Sequence, residues 1–148
     1  MSRARVLLLG LGRAGSFHLG NLLASRRARL AGVADTDPER AARVGNDADV
    51  PFWTDPFAAI AACDADAVVV ATPTLTHHAL VRAALAAGRA VLSEKPLGVS
   101  LDEIDACTDA AAAAGAPLFL AFQRRFDPTF AALIARAQGL EGLSIGGV

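Results

Sequence analysis

Gly10-Leu11-Gly12-Arg13-Ala14-Gly15 is a G-x-G-x-x-G that follows directly on an apolar run, Arg5 to Leu9, and leads into a segment of helical spacing. In that setting each glycine has its own physical task. The first permits a tight turn, the second lets backbone approach a pyrophosphate, and the third lets the helix pack close to the strand, so that helix N-terminal amides face phosphate. Gly10, Gly12, Arg13, Ala14 and Gly15 are therefore candidate dinucleotide contacts. Twenty residues beyond Gly15, at the end of the next apolar run, Asp35 is placed to accept hydrogen bonds from ribose hydroxyls. A carboxylate there repels a 2′-phosphate, so NAD is favoured over NADP, although Arg13 could pair with such a phosphate. Arg40 reads as a solvated helix charge. A second candidate is Lys95 in Ser93-Glu94-Lys95-Pro96, the single lysine of the chain. Taken alone it is either a surface charge or a group for proton chemistry.

The elements that must hold these residues alternate. Short apolar runs at Arg5 to Leu9, Leu30 to Ala34, Ala67 to Ala71, Ala90 to Ser93 and Leu118 to Phe122 read as strands buried on both faces, as in a parallel sheet. Helical spacing covers 14–25, 38–44, 56–62, 76–87 and 101–114. A weaker strand falls near Val50 to Trp53, interrupted by Pro51. Asp37 and Asp55 can cap helices that Pro38 and Pro56 open, Ser100 with Glu103 forms a capping box, and Gly88 and Gly115 suit helix C-termini. Asp127-Pro128 opens a last helix, to about Ala137, and 139–148 then alternates glycine with apolar residues as if a new strand were starting. The pattern predicts an α/β fold, a doubly wound Rossmann parallel sheet over 1–122, followed by a crossover helix and the start of a further domain over 123–148.

Composition removes several function classes. Of 148 residues, 53% are hydrophobic and 20% charged, and no apolar run approaches the length of a membrane helix. The apolar residues before Gly10 are too few for a signal peptide, so a cytoplasmic location is expected. Fourteen basic residues balance fifteen acidic ones without a basic block, so no nucleic-acid partner is expected. Cys63 and Cys107 match no metal or redox spacing and read as reduced core residues; no metal is expected. Phe17, Phe119, Phe122 and Phe126 read as packing.

Ala71-Thr72-Pro73-Thr74-Leu75-Thr76-His77, Glu94-Lys95-Pro96 and Gln123-Arg124-Arg125-Phe126-Asp127-Pro128, together with the glycine loop, resemble the glucose-fructose oxidoreductase/inositol 2-dehydrogenase (Gfo/Idh/MocA) family, most like its inositol-dehydrogenase-type members. The likeness covers essentially the whole chain. It implies that Thr72, Pro73 and Thr74 line the dinucleotide, that Glu94 lies near the nicotinamide ribose, and that Lys95 reaches the reacting hydroxyl and helps to move its proton. It also implies a cis Lys95-Pro96 bond. His77 matches a family position and is a candidate to line the cofactor site or else to pack its helix, whereas His78 faces solvent. Arg124 and Arg125 are candidate anion or substrate contacts, with one of them expected to be a surface or interdomain charge.

The same resemblance implies an NAD-dependent oxidoreductase acting on a polyol or sugar secondary alcohol, with a second domain, absent here, that supplies substrate contacts, an aspartate, a histidine and most of a homo-oligomer interface. Two readings follow: the cofactor half of a dehydrogenase, or a truncated chain that binds NAD(H) without turnover.

Overall fold

A chain that alternates short apolar runs with helical segments has to cover both faces of a parallel sheet, and the computed structural model, which describes residues 2–137, does so. Among the described residues the strands are β1 (Ala4–Leu9), β2 (Ala28–Ala34), β3 (Phe52–Trp53), β4 (Ala67–Val70), β5 (Ala90–Ser93) and β6 (Leu118–Leu120). All pair in parallel, in the order β3-β2-β1-β4-β5-β6. The crossovers carry α1 (Arg13–Ala24), α2 (Pro38–Asp47), α3 (Pro56–Ala62), α4 (His77–Ala86) and α5 (Leu101–Ala114), and α6 (Pro128–Ala137) follows β6. Strand order reverses between β1 and β4, which opens a crevice at their carboxyl ends.

Alternate residues of the central strands feed two separate cores. Leu7, Leu9, Val68 and Val70 pack with Ile60, Leu80, Val81, Leu85, Val91 and Cys107, while Val6, Leu8, Val69 and Ala71 pack with Leu11, Leu30 and Val33. Both sides of β1 and β4 are thus dry, which is why their sequences show no polar alternation. Each buried leucine contributes about 2 kcal/mol through area removed from water.

Helix starts follow the expected chemistry. The Asp37 side chain accepts hydrogen bonds from the Glu39 and Arg40 amides, Asp55 from Phe57, and Ser100 from Glu103. The box at α5 closes one residue early: the Glu103 carboxylate accepts from Val99 N at 2.7 Å rather than from Ser100. Gly98 makes room for that, because a Cβ there would lie 2.7 Å from Glu103 Cβ.

Some expectations are corrected. The strand near Val50 shrinks to Phe52–Trp53, since Pro51 has no N–H for the ladder, although its carbonyl still accepts from Val33 N at 3.1 Å. β6 is an edge strand and not buried on both faces; Phe119 is 63% exposed. Phe17, Phe122 and Phe126 are also exposed. Cys63 and Cys107 are buried and unpaired, and burial pushes both thiols up. No described helix is long and apolar enough to cross a membrane. The glycine-rich strand expected within 139–148 lies outside the described residues.

At the opposite, amino-terminal edge of the sheet, Asp66 clasps Arg5. Its Oδ2 accepts from Arg5 N at 2.8 Å, its Oδ1 from Arg5 Nη2 at 2.7 Å, and Asp66 N donates to Arg5 O at 2.8 Å. The guanidinium and then the backbone N–H of Arg5 hold the Asp66 carboxyl down at about 2, from an ordinary value of 3.8. A carboxyl lowered in the folded state stabilises it above the unfolded value and stops doing so as pH falls through the folded one. Asp66→Asn should therefore melt below the unmodified chain near neutral pH, with the gap closing as pH falls from about 4 to about 2; thermal melts across that range check it.

Candidate functional site

The turn from β1 into α1 is the tightest backbone packing at the crevice. Gly10 has φ +85°, and a Cβ on it would come within 2.5 Å of the Ala71 carbonyl oxygen. A Cβ on Gly15 would collide with the Gly10 carbonyl oxygen. Both glycines are thus required by the protein's own packing. Gly12, the N-cap of α1, is different: a Cβ there would meet nothing within 4 Å. Its bare backbone faces an open cavity of about 600 Å³, within the range of small-molecule sites. The helix N-terminus and an exposed glycine backbone together make an anion cradle that fits a pyrophosphate.

Gly10, Gly12, Arg13, Ala14, Asp35, Thr72 and Pro73 line this cavity together, as do Thr36, Arg40, Pro56, Phe57, Thr76 and Leu80, which sequence reasoning had not chosen. Thr36 and Thr76 could have been found from their places beside Asp35 and within the Thr72–His77 motif. Pro56, Phe57 and Leu80 carried no local signal, because crossovers bring their helices to the cleft.

Asp35 is only 8% exposed and already well supplied with donors. Its Oδ2 accepts from Leu11 N at 2.7 Å and its Oδ1 from Asp37 N at 2.9 Å, while Arg40 Nη1 bridges both oxygens at 3.2 and 3.3 Å. Arg40 also pairs with Asp37 at 3.0 Å, so the reading of it as a purely solvated charge is corrected: starting α2 at Pro38 folds Arg40 back over the end of β2. The Arg40 backbone N–H, with its guanidinium nearby, lowers the Asp37 carboxyl. The bridging arginine bonds are the longest to Asp35.

Other sequence candidates fall elsewhere. Gly15 is buried beneath the turn, and Thr74, which begins a 3-10 turn (Thr74–Thr76), does not itself line the cavity. Thr76 Oγ1 donates to the Pro73 carbonyl at 2.7 Å and lies 2.7 Å from Thr72 Oγ1. Of the two roles left open for His77, lining the cofactor site or packing its helix, its geometry is that of an internal tie. It is 1% exposed, with Nδ1 2.7 Å from the Pro96 carbonyl oxygen and Nε2 2.7 Å from that of Thr72. Both ring nitrogens are thereby committed to backbone, joining the end of β4 to the segment after β5.

Glu94 and Lys95 stand at the end of β5, where Glu94 N extends the ladder to Val70 O at 2.8 Å. Lys95 is exposed and its bond to Pro96 is cis. The Glu94 carboxylate meets His18 of α1, a residue the sequence reading missed. Arg124 and Arg125 do not line the cavity; their guanidinium groups lie over Phe130 and Phe122, 5.6 and 5.8 Å from the ring centroids. Among the described residues no three His, Cys, Asp or Glu side chains gather as a metal site.

Residues 4–122 match the oxidoreductase family, NAD-binding Rossmann fold (Gfo/Idh/MocA). The scyllo-inositol 2-dehydrogenase (NAD(+)) of Bacillus subtilis is 36% identical over 131 residues, 87% of this chain and 38% of that protein. The structure of scyllo-inositol dehydrogenase from Lactobacillus casei with bound NAD(H) and scyllo-inositol superposes with a TM-score of 0.84 at 26% identity, covering 93% of this chain and 42% of that one. The WlbA dehydrogenase of Bordetella pertussis, in complex with NADH and UDP-GlcNAcA, gives a TM-score of 0.88 at 30% identity over 95% of this chain and 44% of that one. The chain thus spans about two fifths of the length of the relatives it matches.

The contrast among the glycines is testable. Gly12→Ala should keep stability within about 1 kcal/mol, since an N-cap glycine is replaced in open space, yet lose NADH affinity by more than about tenfold. Gly15→Ala should instead lose about 3 kcal/mol or fail to fold, from backbone overlap. Denaturant melts alongside NADH fluorescence titration separate the two effects.

Proposed function

The chain belongs to the Gfo/Idh/MocA oxidoreductase family, and on that premise we propose that it is the nucleotide-binding part of an NAD-dependent dehydrogenase of the inositol 2-dehydrogenase type, acting on a secondary alcohol of a polyol or sugar. The observation that carries the reading is the open backbone at Gly12 facing the same cavity that Asp35 borders. Gly12 and the first amides of α1 would hold the pyrophosphate, and Asp35 would accept the adenosine ribose hydroxyls. The carboxylate disfavours a 2′-phosphate, which supports NAD over NADP. Bound there, the nicotinamide supplies the hydride acceptor for alcohol oxidation and the donor for the reverse reaction.

Lys95 is the residue assigned to the alcohol. Its Nζ, on an exposed side chain beyond β5, hydrogen-bonds the reacting hydroxyl oxygen and stabilises the negative charge developing there, while the hydroxyl proton passes to a base supplied with the substrate contacts beyond this cleft. Glu94 receives the nicotinamide ribose. The rest of the substrate is chosen beyond this cleft: the matched relatives include one complex with an inositol and one with a nucleotide sugar acid, on the same nucleotide-binding fold.

Binding and turnover are separate proposals, because the chain spans only part of its relatives' length. Saturable enhancement of NADH fluorescence is the expected first result, and its absence would sink the reading. Asp35→Asn should weaken NADH binding about tenfold or more and narrow the preference for NADH over NADPH, measured by parallel titrations. Lys95→Ala should leave NADH affinity unchanged while lowering NAD reduction with myo-inositol or other polyols at least about a hundredfold; retained turnover in that variant would remove Lys95 from the chemistry.

A further inference from the structure

A dinucleotide lies across the strand-order reversal of an open parallel sheet, so an adenosine half resting against β2 leaves its other half over the ends of β4 and β5. The cavity beside Asp35 accounts for the first half. At the end of β5, facing the second, stand Glu94 and, reaching across from the second turn of α1, His18.

His18 Nε2 lies 2.9 Å from Glu94 Oε1, and the two side chains are 18% and 22% exposed. A carboxylate can only accept, so in this contact Nε2 is the donor. The backbone of Glu94 is also held. Its N–H donates to Val70 O at 2.8 Å, and its carbonyl accepts from the hydroxyl of fully buried Ser93 at 2.9 Å. Glu94 Oε1 is thus occupied, while Oε2 has no hydrogen-bond donor among the described residues. One oxygen is fixed and the other is presented. His18 lies six residues along α1 from Gly12, about 9 Å along the axis, so a single rigid helix sets both the phosphate cradle and the rotamer of Glu94.

We propose that His18 is a positioning residue for the nicotinamide half: by donating to Oε1 it orients Glu94 so that Oε2 accepts a hydroxyl of the nicotinamide ribose, and keeps the adjoining Lys95 in register with it. This rests on the NAD reading above. His18 does not touch the reacting atoms; it acts through Glu94.

The test compares NADH with ADP, which fills the adenosine and phosphate sites but has no second ribose. His18→Ala should weaken NADH binding about tenfold, the loss of a charge-assisted hydrogen bond, with ADP affinity unchanged. His18→Gln, whose amide can still donate, should restore NADH affinity to within about threefold. In a Glu94→Ala background, His18→Ala should have no further effect, as required if the histidine works through the carboxylate. Unchanged NADH affinity in His18→Ala, a parallel loss of ADP binding, or additive effects in the double variant would each overturn the assignment. Failure of the unmodified chain to bind NADH, with or without ADP binding, would instead overturn the NAD reading beneath it.

Discussion

The close approach of the β1–α1 turn to the end of β4 is the constraint on which the rest of the site depends. Gly10 lies against the Ala71 carbonyl, Gly15 lies against Gly10, and Ala71 N donates to Leu9 O at 2.8 Å. No side chain fits between these segments. Their contact seats α1 with its N-terminus at the strand-order reversal, where amides can face an anion and where Gly12 is left bare. Adjacent to that turn, Asp35 is tied by Leu11 N and Asp37 N, so the acid that borders the cavity is held by the backbone of both neighbouring loops.

A second tie governs the other half of the crevice. His77 lies between the Thr72 and Pro96 carbonyls in a buried position, so the loops after β4 and β5 meet on one histidine side chain. The ladder bond from Glu94 to Val70 runs parallel to that tie. Together they make the segment bearing Glu94 and Lys95 an extension of the sheet and not a free loop, which is the condition for groups that must meet a ligand in a fixed geometry. The His18 contact adds a third connection, from α1 to the Glu94 side chain.

Much of the fold was legible in the chain because local and global signals agree. The runs that form β1 and β4 are apolar without alternation since both sheet faces are covered, and Asp37, Asp55 and Ser100 begin helices at the positions where their side chains can meet free amides. The reading weakened at the sheet's edges. Phe119, on the edge strand β6, and Phe122, two residues beyond it, look like core residues by type, yet both stay exposed while Leu118 and Leu120 turn to the core. The site divided along the same line: Gly10, Gly12, Gly15 and Asp35 announce themselves by spacing, whereas Phe57, Arg40 and His18 do not.

By itself the sequence determined the order of elements, the glycine turn and the acid after β2, because these depend on spacing within one βαβ unit, where backbone sterics and capping act over a few residues. Only the tertiary structure decided the partnerships that cross units. It turned His77 inward between two carbonyls and set His18 against Glu94, seventy-six positions apart. Such contacts arise from which strands become neighbours when the sheet reverses direction, and the spacing of residues along the chain does not encode that distance directly.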